Sequence, residues 1–372
     1  MIKIGITGQA GFIGTHLYNY LSLKKTEVTL IPFQDNFFED QDKLAAFAGQ
    51  CEAIVHLAAL NRHNDPQAIY DTNIDLVRKL ISAMESTGSR PHVLFSSSTQ
   101  EERDNVFGKS KREGRKLLAE WASRSGGVFT GMVIPNVFGP FGNPYYNSVV
   151  ATFSHQLTHN EQPGVDVDAL LKLIYIGDLV RIIYYLIENK IANDEFRITP
   201  TAEARVTEIM TLLQSFKAQY FEKGIIPDLT DPFERNLFNT FVCYIDHKSY
   251  FPFKLKLNTD ERGSFVETVK LNSGGQVSFS TTKPGITRGN HFHTRKAERF
   301  AVIKGKAKIE FRRIGTDKVL SFDLDGSEPS YVDMPVWYTH NITNTGDDEL
   351  YTIFWINEPY DPTDPDTFFE QV

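Results

Sequence analysis

The chain of 372 residues is too long for one ordinary domain and comfortable for two. Its 41% hydrophobic and 23% charged content is that of a globular protein, and a net charge of -8 without a Lys/Arg run excludes a nucleic-acid face. Two cysteines, Cys51 and Cys243, cannot build a disulfide framework, which points to a reducing compartment.

In chain order, Ile2–Thr7 reads as a buried strand and not as a signal peptide, because it lacks a basic start and a long apolar run. No segment approaches the roughly 20 apolar residues that span a bilayer, so the expectation is a cytoplasmic enzyme without a membrane partner. Ile13–Leu23 is a predicted helix, Val28–Ile31 a strand, Ala53–Leu57 a strand and Ile69–Met84 a helix. His92–Ser96, Lys109–Ser123 and Val128–Ile134 continue the alternation as strand, helix and strand, with further helices at Asp178–Asn189 and Thr207–Phe216. This rhythm predicts a parallel sheet covered by helices on both faces.

From Phe253 onward the strands are short, alternating and separated by turns such as Pro284-Gly285 and Asp325-Gly326, the pattern of an antiparallel sandwich or barrel. The boundary is expected between Pro227 and Lys254, giving domains at 1–244 and 245–372.

Thr7-Gly8-Gln9-Ala10-Gly11-Phe12-Ile13-Gly14 follows the first strand and opens the first helix. Gly8 permits a tight turn, Gly11 lets the backbone approach a pyrophosphate, and Gly14 allows close helix–strand packing. The chemistry is dinucleotide binding at a helix N-terminus; a packing turn without cofactor is the bland alternative.

This spacing resembles the extended short-chain dehydrogenase/reductase family, which modifies nucleotide sugars. Supporting it are His56-Leu57-Ala58-Ala59, Asn73, Ser96-Ser97-Ser98, Pro135-Asn136-Val137-Phe138-Gly139-Pro140 and Tyr175-Ile176-Gly177-Asp178. The resemblance implies an α/β Rossmann-type domain with a small substrate-binding subdomain. Its cofactor residues would be Gly8, Gly11, Phe12, Ile13, Gly14, Leu57, Ala58 and Lys111, and Asn136 would meet substrate. NADPH or NADH is implied. Pro32-Phe33-Gln34 stands where a ribose-reading acid is usual, with Asp35 just beyond, and Arg62 is the nearest candidate for a 2′-phosphate.

The family's proton donor is a Tyr four residues before a Lys. Here Phe107 precedes Lys111, so Lys111 and Ser98 are present but the hydroxyl is missing. Losing a positioned general acid removes about 10²–10⁴ in rate. The site is impaired, rescued by another donor, or used only to hold nucleotide.

Downstream, Gly285 is followed by His291, His293, Glu298 and Gly305, and later by Pro335 through His340 to Asn344. The order and spacing resemble both cupin motifs, except that Trp337 replaces a usual glycine. Alternate strand residues share a face, so His291 and His293 both point into a jelly-roll barrel. Glu298 arrives on the returning strand and His340 from the second half. Three imidazoles and a carboxylate suit Zn, Mn, Fe or Ni; polar lining without metal is the alternative. Asp260–Glu267 and Gln276–Ser278 resemble the deoxysugar 3,5-epimerase branch of cupins, which implies nucleotide contacts from Arg262 and Glu267, a substrate contact from Gln276 and diphosphate neutralisation by Arg288.

Nearly the whole chain resembles the bifunctional capsular polysaccharide enzymes of the CapF/WbjC family, on the route to UDP-N-acetyl-L-fucosamine. Asn143–Phe153, Lys283–His293, Asn357–Pro362 and Pro365–Phe369 carry further matches. The resemblance implies C-3 epimerisation of a UDP-4-keto-6-deoxy sugar in the cupin and NADPH-dependent C-4 reduction in the Rossmann domain. It also implies a homodimer. Candidates for acid and base are Tyr338, Tyr360 and any imidazole not committed to metal. A single-activity cupin isomerase on a nucleotide-binding scaffold, and a sensor without turnover, remain the competing readings.

Overall fold

In the computed structural model, residues 1–261 and 263–372 are described, and they form two compact units. The first comprises residues 1–138 and 171–203. Its parallel sheet contains β1 (Ile2–Thr7), β2 (Val28–Ile31), β3 (Ala53–His56), β4 (His92–Ser98) and β5 (Val128–Ile134), in the order β2-β1-β3-β4-β5 and then Asn193–Arg197. The order reverses beside β1, which creates a switch point at the carboxyl end of β1 and β3 where ligands bind in such sheets.

Helices cover both faces. α1 (Phe12–Ser22) packs with Ile176–Glu188, while α2 (Gln41–Gln50), α3 (Pro66–Thr87) and α4 (Val106–Ser125) close the other side. Phe47, Ile54, Val77, Leu80, Phe95, Leu118 and Trp121 fill that second core. The parallel strands read as continuous apolar runs because both faces are buried.

The second unit comprises residues 139–170 and 204–372. Two antiparallel sheets face each other. One runs Phe253–Lys254, Ser330–Met334, Glu298–Lys304, Leu350–Ile356, Gln276–Thr282. The other runs Val319–Asp325, Lys306–Arg313, Tyr338–Asn344, Thr287–Phe292, Phe368–Phe369. Ile309, Phe311, Phe322, Val332 and Leu350 form the core between them. This is the all-β cupin architecture, and the first unit is a Rossmann domain.

These units are drawn differently from the division at 244. Within the stretch between Pro227 and Lys254, Pro232–Val242 is a helix capped by Asp231, with Leu237 and Phe241 wholly buried. A buried ion pair explains why residues near 220 group with the barrel. The Arg299 guanidinium donates to both Asp333 oxygens at 2.7 and 2.8 Å and to the Gly224 carbonyl at 2.8 Å. Tyr220 donates to the same carboxylate at 2.6 Å, and the Tyr331 ring lies 3.6 Å from the guanidinium carbon.

Candidate functional site

In the first unit the glycine turn has the geometry its spacing predicts. Gly8 has φ = 70°, and a Cβ there would lie 2.7 Å from the Ala58 nitrogen. A Cβ on Gly14 would lie 2.3 Å from the Gly8 carbonyl oxygen. Gly11 caps α1 without a side-chain acceptor, so no cap side chain claims the first amides of α1, which include those of Phe12 and Ile13. Leu57 and Ala58 approach from the switch point, their amides donating to the Thr7 carbonyl and Thr7 Oγ1. Asn73 ties the next loop down: its side chain accepts from Leu60 N at 2.7 Å and donates to Ser110 Oγ at 3.0 Å. Phe33, at the end of β2, is buried against Phe37, Phe38 and Phe47, so this position serves the core. Asp35, at the start of a short 3-10 helix, and Arg62, on a loop, are exposed, and Asn136 is exposed with its amide donating to the Lys172 carbonyl at 3.2 Å.

Ser98 ends β4, and its hydroxyl accepts from the Gln100 amide. Phe107 lies in the first turn of α4, one turn before Lys111. The Lys111 ammonium sits 5.0 Å from the Phe95 ring centre and 5.6 Å from that of Phe107. The residue is 4% exposed. Burial pulls its pKa down to about 8, and the field of Glu101 opposes this. Glu101 is itself held by Arg115 at 2.8 Å.

In the second unit His291, His293, Glu298 and His340 converge, their ligand atoms all within 4.8 Å of one another. The Thr287–Phe292 strand pairs with Tyr338–Asn344 so that His291 stands opposite His340. A bulge at Asn290, with φ = 59°, sets this register. Trp337 explains the usual glycine, for it holds φ = 64°. That backbone costs a non-glycine residue about 1–2 kcal/mol. A ring stacked on Phe292 and an amide donating to the His293 carbonyl at 2.8 Å offset the strain.

The donor set asks for a cation. His293 Nδ1 donates to the Asp366 carbonyl at 2.5 Å, and His340 Nδ1 to the Tyr338 carbonyl at 3.1 Å. Carbonyl oxygens only accept, so in the neutral imidazoles both Nε2 atoms present lone pairs. They lie 3.3 and 3.0 Å from Glu298 Oε2, and all three atoms are buried without a hydrogen-bond partner. Three acceptors so close, with no donor between them, fit a divalent metal. Burial would raise the Glu298 carboxyl, but the three imidazoles together hold it well below the usual range. Burial lowers His340, whereas Glu298 and the Asp366 carbonyl outweigh burial at His293 and raise it.

A cavity of about 220 Å³ opens beside the cluster, lined by Ser280, Arg288, Gly289, His291, Glu298, Phe300, Ile342, Thr352 and Phe354. Arg288 and His291 were legible in the sequence; Phe300 and Ser280 were not, although strand alternation places both on inward faces. Gln276 shares the face of Ser280 and accepts from the Tyr360 amide at 3.2 Å. Glu267 is exposed and paired with Lys270. Arg262 lies outside the described residues.

Neither tyrosine expected as acid or base lines that cavity. Tyr338 packs against Phe311, His247 and Phe141, and burial raises its hydroxyl above the ordinary phenol value. Tyr360 is 67% exposed beside Arg295 and Glu358. Strand alternation alone could not distinguish the core side of the barrel from the ligand side at residue 338.

Comparison with known proteins also divides the chain in two, though with residues 139–170 on the N-terminal side. The NAD dependent epimerase/dehydratase family matches residues 4–199, and the polysaccharide biosynthesis C-terminal domain matches residues 258–368. Over 370 residues the chain is 32% identical to UDP-2-acetamido-2,6-beta-L-arabino-hexul-4-ose reductase of Pseudomonas aeruginosa, covering 99% of this chain and 98% of that one. A crystal structure of the capsular polysaccharide assembling protein CapF of Staphylococcus aureus is 35% identical, covers 100% of both chains and superposes with a TM-score of 0.63. The chain belongs to the CapF family. It is thus an enzyme of the reductase/epimerase kind that modifies nucleotide sugars for polysaccharide synthesis, built on an NAD(P)-binding domain. UDP-glucose 4-epimerase of Thermotoga maritima, solved with UDP-glucose, is 22% identical, with a TM-score of 0.53 over 58% of this chain and 83% of that one, and shares the Rossmann fold. Among the described residues no helix is long and apolar enough to cross a membrane.

Proposed function

We propose that the cupin epimerises C-3 of a UDP-4-keto-6-deoxy-N-acetylhexosamine and that the Rossmann domain reduces C-4 with NADPH. The single observation carrying this is the chain-long match to a reductase named for a 4-ulose of a UDP-linked 2-acetamido sugar. The cavity beside His291 supports the first half. A C-3 proton is acidic because the neighbouring ketone spreads the charge of the enolate. Zinc, or another divalent transition metal held by His291, His293, Glu298 and His340, would supply Lewis acidity toward that oxygen. Arg288, at the cavity wall, would neutralise diphosphate, with Gln276 and Glu267 nearer the nucleotide. His291 as a ligand is not free to act as the base.

For the second half, Gly8, Gly11 and Gly14 with the first amides of α1 would hold the pyrophosphate, and Lys111 the ribose. Ser98 would orient the carbonyl oxygen. Phe107 offers no proton, so hydride transfer depends on another donor. A homodimer in the cytoplasm is part of the same reading. Gln276–Thr282 is a sheet edge exposing Val277 at 56% and Phe279 at 72%, the kind of surface a second copy covers.

The decisive measurement incubates the 4-keto UDP-sugar in D₂O with and without NADPH or NADH, followed by mass spectrometry. Deuterium at C-3 without cofactor and a second product with it are expected. Deuterium alone, with no cofactor consumed, would leave a cupin isomerase on a scaffold; neither signal would remove both activities. Phe107→Tyr should raise the rate of reduction by about 10²-fold. An unchanged rate would mean that this position is not where the acid belongs.

A further inference from the structure

The segment after Pro362 wraps the cluster from outside. Phe368–Phe369 pairs with the strand of the first ligands, setting Phe369 opposite His291 and Phe368 opposite Phe292. Glu370 N donates to the carbonyl of the bulged Asn290 at 3.0 Å, and Thr339, beside His340, donates to the Glu370 carbonyl at 2.5 Å. At its centre is Asp366, 4% exposed and held at φ = 43°. Its carboxylate accepts from Thr294 Oγ1 at 2.6 Å and from the amides of Thr294, Arg295 and Lys296 at 3.0–3.2 Å. Its main-chain carbonyl accepts a hydrogen bond from His293 Nδ1. One residue therefore grips the turn that follows a ligand and also fixes that ligand's tautomer.

We propose that Asp366 is a positioning residue of the metal centre. This rests on the metal reading above. The carboxylate satisfies the turn amides of residues 294–296, and that grip keeps the Asp366 carbonyl within reach of His293 Nδ1. Released from it, the imidazole is free to turn or to exchange tautomers, and Nε2 no longer faces Glu298. Outer-shell partners of this kind typically contribute 10–100-fold to metal affinity. The nearby Glu358 provides a contrast: it pairs with Arg295 at 3.1 Å on the outer side of the same turn, and His293 has no bond to it.

The test strips metal from the full chain and from Asp366→Asn, Asp366→Ala and Glu358→Gln, then titrates Zn²⁺ against a chromogenic chelator. Co²⁺ spectra report ligand geometry separately. Asp366→Ala should lose about 10–100-fold in Zn²⁺ affinity and Asp366→Asn a smaller part, while Glu358→Gln stays within about twofold. Asp366→Asn should melt somewhat lower without metal, because the amide accepts fewer of the turn's hydrogen bonds, but in the folded protein its Co²⁺ spectrum should also change, which a purely structural role would not produce. If Asp366→Ala does not fold, the isosteric Asp366→Asn decides. Parental Zn²⁺ affinity and an unaltered Co²⁺ spectrum in Asp366→Asn would overturn the proposal. A parent chain that binds no divalent metal would overturn the metal reading itself, and would show this before any variant is compared.

Discussion

Replacing Lys111 with methionine should yield a protein that is more stable at pH 7 and has lost reduction. Methionine preserves the length of the side chain among Phe95 and Phe107 and removes a charge from a site that is 4% exposed. The folded pKa is about 8, against an ordinary value of 10.5. Each unit of such a shift is 1.36 kcal/mol, so the charged lysine costs the fold about 3 kcal/mol near neutrality. Between pH 8 and 10.5 the unfolded chain retains the proton that the folded chain has released, so parental stability rises with pH across that window. The advantage of Lys111→Met should therefore shrink from pH 8 toward 10.5, measured by denaturant unfolding at several pH values. Reduction should fall by about 10²-fold or more, because the group proposed to hold the ribose is gone. A variant no more stable than the parent at pH 7 would mean that the ammonium is better solvated than its burial indicates. Stability given up for activity is a common pattern at working sites.

Asp333→Ala should destabilise the second unit by about 3–5 kcal/mol, because it leaves Arg299 charged, buried and unpaired. The carboxylate also receives Tyr220, so one substitution orphans two buried donors. Urea unfolding followed by near-ultraviolet circular dichroism would register the loss. A change below about 1 kcal/mol would show that water reaches the guanidinium. Replacing both partners by apolar residues of matching volume should cost far less than removing either, since a buried pair contributes little beyond its own desolvation.

How much of this was written in the sequence depends on which force shapes each segment. β1, β2 and β5 have the bounds their apolar runs predict, because two-sided burial leaves a clear signature. Asn193–Arg197 gave none: its side chains are largely exposed, and Arg115 grips its Asp194 carbonyl at 2.8 Å. The helix Gln41–Gln50 was legible in hindsight, through the Asp40 cap and buried residues at 44, 47 and 48. The four proposed ligands were legible because metal chemistry fixes residue type and strand geometry fixes spacing. Tyr338 shares the strand of His340, but alternation gives a face and not the cavity that the face lines. Asp366 was invisible as a site residue, since it acts through a carbonyl that every residue possesses.

Phe368–Phe369 lies about 75 residues beyond the ligand strand it completes. During synthesis, His291, His293, Glu298 and His340 therefore leave the ribosome before the strand that braces them exists. Loops of that length close late, after local hairpins have formed. Bracing of these four residues would thus be a terminal step in maturation, and chains arrested before residue 366 should emerge with the imidazoles assembled but poorly aimed.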